Sequence, residues 1–304
     1  MKRVVSISLG SSAGNKAAEV EFLGECFSVE RIGTDGSLER AVERIRELDG
    51  HCDCIGLGGI DRYLVVAGRR YEIPDGRRLA LAAKQTPVVD GSGLKDTLER
   101  QCLIWLAEQG IVDFRDKRVL LVSGVDRFGM AEQLPALGAK VIYGDLIFAL
   151  HLPIPIRSPR QLRIIGRFFL PLIRRLPFQN FYPTGEKQEA SQPKHSKYVE
   201  WAEIIAGDFH FIRRYTLSGL AGKVIITNTI TEANLALLRE RGVSLLVTTT
   251  PEIQGRSFGT NVMEGVLVTL ARKRPEDLTS QDYLSLLQRL NWPPRVVRLQ
   301  EGVH

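Results

Sequence analysis

Cysteine is scarce in this sequence: four residues in 304, Cys26, Cys52, Cys54 and Cys102. They are too few and too irregularly spaced for a disulfide framework. Cys52 and Cys54 match no standard zinc knuckle, and no second pair completes a site. The five histidines, His51, His151, His195, His210 and His304, fall at no metal-ligand spacing, so no metal site is expected. No apolar run reaches the roughly 18 residues of a spanning helix. The chain opens on a strand rather than on a cleavable leader. The expectation is a cytoplasmic protein with reduced thiols. No Walker loop, nucleophile elbow or Ser/His/Asp order is legible.

Charge of one sign is also modest. Lys and Arg number 41 against 35 Asp and Glu, a net charge of +6 with a pI near 9.2. The excess is spread along the chain. It favours anionic small molecules and does not mark a nucleic-acid binder. A homodimer is left open.

What is present is alternation of strand and helix. VVSISL at 4–9 reads as a buried strand, 37–48 as a helix with Leu38, Ala41, Ile45 and Leu48 on one face, and 53–58 as a second strand. A hairpin at 63–73, a helix from Arg77 to Lys84, a strand at 87–89 and a long helix over 92–110 follow. Arg118–Ser123 is the clearest strand. A helix through Leu137 and a strand at 140–143 complete a β-α-β unit, and strands at 203–206, 223–227 and 244–248 continue the pattern. The expected fold class is α/β with two domains. An N-terminal α/β substrate-type domain covers 1–108. A doubly wound Rossmann-like domain covers 109–258, with a helical insertion at about 151–198. C-terminal helices, 259–304, pack back between them. The insertion is rich in Pro, Arg and large apolar residues. It reads either as a basic amphipathic element for a membrane surface or acyl ligand, or as a helix packed on the sheet with its arginines in water.

Gly124-Val125-Asp126-Arg127-Phe128-Gly129 sits between a strand and a helix, where a dinucleotide loop belongs. Gly124 would make the turn, Gly129 would bring helix and strand together, and the helix N-terminus would offer N–H groups to phosphate. Asp145 ends the next strand, where an acid would bind a ribose hydroxyl; this favours NAD over NADP. Asp126 replaces the middle glycine, with Arg127 beside it to compensate. Thr227, Asn228 and Thr248 end later strands, where ligands of such sheets bind. So does Asp208, with His210 after it. Each of these five also reads as a turn or capping residue.

Thr86–Gly93, followed by Leu98 and Glu99, resembles the N-T-D-G-x-G motif of the shikimate/quinate dehydrogenase family. Phe258–Gly265 resembles that family's returning helix, and Ser6 to Ser12 its serine-bearing loop. The resemblance implies a catalytic aspartate at Asp90, a substrate carboxylate held by Ser8, Ser11 or Ser12, and Glu264 where the family has a substrate-binding Gln. The family's lysine has no counterpart at Gly58–Arg62. Arg62 could supply charge but no proton. Lys84 is the lysine just before Asp90, Lys95 lies one turn into the next helix, and Lys187 is a remote candidate. The readings are three. One is an NAD(P)-dependent oxidoreductase acting on a small anionic or polyhydroxylated substrate. The second is a non-catalytic nucleotide or metabolite binder, and the third a nucleotide-using transferase.

Overall fold

In a computed structural model that describes residues 1–66, 69–173, 195–253 and 256–300, the chain builds two sheets, one in each half. The first half contains β1 (Lys2–Ser8), β2 (Lys16–Phe22), β3 (Glu25–Gly33), α1 (Leu38–Leu48) and β4 (Cys54–Gly58). It continues through β5 (Tyr63–Val66), β6 (Arg69–Glu72), α2 (Pro74–Ala80) and β7 (Val88–Val89). Then come α3 (Ser92–Asp96), α4 (Leu98–Glu108), β8 (Arg118–Leu121), α5 (Phe128–Ala136) and β9 (Lys140–Tyr143). After a short π-helix at Asp145–Ala149 follow α6 (Pro159–Ile173), α7 (Ser196–Trp201), β10 (Ile204–Ala206), α8 (Phe209–Thr216) and β11 (Val224–Thr227). The chain then runs through α9 (Glu232–Glu240), β12 (Leu245–Thr248), β13 (Glu252–Ile253), β14 (Arg256–Ser257), α10 (Thr260–Ala271), α11 (Ser280–Leu290) and β15 (Arg295–Arg298).

The first sheet has the order β2-β3-β1-β4-β7, parallel except for β2. Its central strand is buried on both faces because both are covered. Val5 and Ile7 meet the buried stripe of α1, Ala41, Val42 and Ile45. Val4 faces α10, where Val262, Met263, Val266 and Leu267 are buried. Ser37 caps α1 by accepting from Arg40 N at 3.2 Å. The second sheet has the order β15-β12-β11-β10-β8-β9, parallel except for β15. Read from β8 onward, the parallel strands follow the doubly wound order 2-1-3-4-5. Leu103, Met130, Leu134 and Leu162 cover one face, and Val199, Ile212, Leu235 and Leu238 the other. The fold is a two-domain α/β fold.

Several expected boundaries shift. The helix expected over 92–110 is two helices, broken at Thr97, whose hydroxyl donates to Gly93 O at 2.6 Å. α4 buries Cys102, Leu103 and Leu106 in the second core, so a division at 108 would cut through packed structure. The helix expected over 77–84 runs instead from Pro74 to Ala80. The β2–β3 hairpin, α8 and β15 had no expectation. Of the insertion, residues 174–194, with Lys187, lie outside the described residues. The C-terminal segment is split: α10 and α11 pack on the first sheet, and β15 joins the second.

Candidate functional site

Doubly wound sheets bind ligands beyond the carboxyl ends of their strands, where the strand order reverses. In the second sheet that point lies between β8 and β10. In the first it lies between β1 and β4. Both points open on one cleft of about 820 Å³. Ser6, Ser8, Arg31 and Gly58–Asp61 line it from the first sheet, Asp208, His210, Arg213 and Asn228–Thr231 from the second, and Phe258–Val262 from the start of α10.

The floor is a charged cluster built by close backbone approach. Gly91, at φ +88, turns the chain into α3, and a Cβ there would meet Thr260 Oγ1 at 2.6 Å. Gly129 lets α5 touch α3, since a Cβ would lie 2.5 Å from Lys95 O. This contact, rather than the expected helix–strand contact, is what Gly129 serves. It brings Lys95 Nζ to 2.6 Å from Asp61 Oδ1 and 2.5 Å from Asp126 Oδ1. All three side chains are nearly buried. Burial alone would depress the Lys95 ammonium, but Asp126 and Asp61 overturn that and raise its pKa. Asp61 is held well above the carboxylate range by burial and by the negative charge of Asp126 and Asp90, against the pull of Lys95. Burial works against the Asp126 charge too, but Lys95 and Arg127 prevail and hold its pKa low. Two close carboxyls cannot both ionise cheaply, and of the pair it is Asp61, which faces the cleft, whose charge the surroundings disfavour.

Beside the floor, Arg127 is 2 % exposed and binds Glu99, Asp126 at 3.0 Å and Asp208 at 3.0 Å. Burial pushes the Glu99 carboxyl up to about 7 even with Arg127 against it. Asp208 also caps α8, accepting from His210 N at 2.9 Å. Burial lowers the His210 pKa, and Arg31 adds to the effect from across the cleft. The opposite end is cationic. Arg31 donates to Ser8 Oγ and Ser11 O, both at 3.1 Å, and no carboxylate lies within ion-pair reach of it among the described residues. Burial depresses its pKa, the mark of a desolvated cation. Lys16 and Arg213 line the same cleft.

The expected site residues divide. Ser8, Ser11, Arg127, Asp208, His210 and Asn228 line this cleft, as does Asp90. Asp90 is spent on backbone: it accepts from Arg62 N, Tyr63 N and Ser92 N at 2.8, 2.9 and 3.0 Å. Arg62 turns its side chain to Glu72 at 3.1 Å. Lys84 is exposed in the loop where Asp49 gathers backbone N–H groups, at the far end of the sheet, so it cannot relay a proton to Asp90. Ser12 is exposed and donates its N–H to Asp35 at 2.7 Å. Thr227 and Thr248 are fully buried; their hydroxyls bond Asn228 Oδ1 and Thr250 O. Glu264 is buried as a tie, accepting from Gly91 N, Gly93 N and Tyr283 Oη at 2.6, 3.1 and 2.8 Å. Phe128 packs in the second core. Lys95, Asp61 and Arg31 are the residues that sequence reasoning did not place.

The loop expected to cradle a pyrophosphate is closed. Asp145 accepts from Gly124 N at 3.0 Å and Val125 N at 2.8 Å, so the chain's own carboxylate takes the donors a phosphate would need. Burial lifts Asp145 to about 6 against those two amides. Tyr143 and Leu162 crowd Gly124, at 2.8 and 2.9 Å from a Cβ placed there. Asp126 and Asp208 add negative charge nearby. The residues present at Gly124–Gly129 do not fit the pyrophosphate of NAD or NADP.

Residues 93–299 match the model of one family, described as Domain of unknown function (DUF8754). The chain belongs to the DUF8754 family. Residues 3–90 match a second, Domain of unknown function (DUF8753), so the two matches meet at the Asp90–Gly93 turn that leads into the site. No curated protein matches the chain. Among solved structures, an ABC-transporter solute-binding protein from Burkholderia multivorans is similar at 12% identity and TM-score 0.39, over 97% of this chain and 99% of that one. An NAD-dependent malic enzyme from Thermotoga maritima is similar at 14% and 0.33, over 94% and 83%. A glutamate dehydrogenase is similar at 13% and 0.39, over 94% and 71%. Scores this low carry no argument about ligand or activity.

Proposed function

We propose that the protein is an enzyme that binds a compact, hydroxylated anion in the cleft between its two sheets and moves a proton at Asp61. The observation that carries this reading is the Lys95–Asp61–Asp126 cluster on the cleft floor. A protonated carboxyl facing the ligand beside a fixed ammonium is suited to donate to, or take from, a hydroxyl or carbonyl oxygen. Lys95 stays charged, so its role is to hold the two carboxyls and the ligand oxygen in register. Asp126, kept ionised, sets the proton on Asp61. Arg31, Ser8 and Ser11 receive the carboxylate or phosphate of the ligand, with Arg213 on the facing wall. Asp90 acts as a positioning residue: its three backbone bonds fix the chain beside Asp61.

Oxidoreduction of a small hydroxylated acid with a nicotinamide cofactor is the finer reading from sequence, and the closed loop at Gly124 stands against it. Titration with NADH and NADPH separates the two. The expected result is no fluorescence enhancement with either, alongside calorimetric binding of hydroxylated carboxylates or sugar phosphates that Arg31→Met weakens by about tenfold or more. Micromolar binding of either nucleotide would restore the dehydrogenase reading. A ligand that binds and is recovered unchanged, without solvent-hydrogen exchange, would favour the non-catalytic binder.

A further inference from the structure

Eight large hydrophobic side chains are exposed among the described residues, and five of them, Leu152, Ile154, Ile164, Phe168 and Phe169, lie in one stretch. Phe168 leaves 74% of its surface in water and Ile164 58%. The same stretch is one-sided in charge. From Leu146 to Ile173 the chain carries Arg157, Arg160, Arg163 and Arg167 and no aspartate or glutamate. Of these four, only Arg163 reaches a carboxylate among the described residues, Glu132 at 4.0 Å.

The two sides of α6 explain how this face is presented. Leu162, Gly166 and Leu170, spaced by four, are buried and fix the helix to the second sheet. Arg160, Ile164, Arg167 and Phe168 follow one another at i, i+4, i+7 and i+8 on the opposite side, all exposed. A surface helix with its apolar stripe already buried is normally polar on its other face. Here that face interleaves guanidinium groups with isoleucine and phenylalanine. Clustered exposed apolar surface marks an interaction site.

We propose that this face of α6 docks on the surface of an anionic lipid bilayer. Ile164 and Phe168 enter the boundary between headgroups and acyl chains, and Arg160 and Arg167 pair with headgroup phosphates, which guanidinium binds in a bidentate fork. Charge complementarity selects an anionic partner. The protruding apolar side chains select lipid over nucleic acid, since a base-and-phosphate surface would leave them in water. No helix among the described residues is long and apolar enough to cross a membrane, so the contact is peripheral.

The test is co-sedimentation of the full chain with vesicles of phosphatidylcholine, alone or with one third phosphatidylglycerol. Binding is expected with the anionic vesicles, falling steeply with salt. Phe168→Glu, at an exposed position, should weaken it by about tenfold or more without changing the circular dichroism. Arg160→Gln with Arg167→Gln should weaken it and flatten its salt dependence. Absence of binding to anionic vesicles, or binding indifferent to Phe168→Glu, overturns the proposal. So does a wild-type dimer that Phe168→Glu splits in the absence of vesicle binding, which would assign the face to a second copy of the chain. Binding to duplex DNA without binding to vesicles would also overturn it.

Discussion

The ammonium of Lys95 lies 2.6 Å from the carboxyl of Asp61, and its other partner, Asp126, comes from the loop that ends β8. One side chain therefore ties the first sheet to the second at the floor of the cleft. Its removal should be felt in stability as well as in function. Lys95→Met leaves two buried carboxyls facing each other and should cost about 3–5 kcal/mol in urea denaturation. Adding Asp126→Asn should recover part of that loss, because the uncompensated charge goes with it. A Lys95→Met variant within about 1 kcal/mol of wild type would mean that the bridge is not formed in solution.

Glu264 makes the second tie. Its carboxyl accepts from two amides of the Gly91–Gly93 turn and from the Tyr283 hydroxyl. Glu264→Ala leaves three donors without a partner in a buried place, and a loss of about 3 kcal/mol or more is expected. Thermal unfolding gives the measure, and a change under about 1 kcal/mol would contradict the arrangement.

Stability should fall as pH rises toward neutrality. Burial lifts Glu99 and Glu264 to about 7 and Asp145 to about 6. Each has a folded pKa above its unfolded value, so each contributes stability that is present below the unfolded pKa and lost as pH rises through the folded one. The loss runs from the unfolded values near pH 4 to the folded ones near pH 7 and levels off above that, with a slope of at most about 1.4 kcal/mol per pH unit for each group. Carboxylates held low, such as Glu203 at about 2, matter only in acid. The midpoint of urea unfolding across that window checks the sign, and Glu99→Gln should flatten the curve. A midpoint that climbs with pH across that window would contradict it.

Much of the fold was legible because buried parallel strands leave a plain mark: VVSISL and RVLLVS are short runs rich in Val, Ile and Leu and buried on both faces. The β2–β3 hairpin was missed although Ala18, Val20 and Phe22 alternate with Glu19 and Glu21, because its turn, Leu23-Gly24, carries no ordinary turn signal and puts positive φ on a leucine. In the site, the spacing Gly124 to Asp145 was real, but its chemistry was inverted. The acid expected to hold a ribose hydroxyl folds back on the loop's own amides. Spacing cannot distinguish a carboxylate that waits for a ligand from one that replaces it. Lys95 was visible one turn beyond Asp90, yet its partners sit 34 residues before it and 31 after, and only the packing of Gly129 on α3 joins them. Arg31 was illegible for another reason: its place in the cleft, donating to Ser8 and Ser11 rather than to a carboxylate within ion-pair reach among the described residues, is set by packing.

The central claim is that the cleft holds a hydroxylated anion between Arg31 and the Lys95 cluster. Isothermal titration of the wild type and Arg31→Met with a panel of hydroxylated carboxylates and sugar phosphates tests it most directly. The prediction is saturable binding of at least one such compound by the wild type, weakened by about tenfold or more in Arg31→Met, a loss of at least one charge-assisted hydrogen bond. The variant should keep its fold, since the side-chain hydrogen bonds lost are those to Ser8 and Ser11. Binding that Arg31→Met leaves unchanged, or no binding by any hydroxylated anion in the panel, would contradict the account.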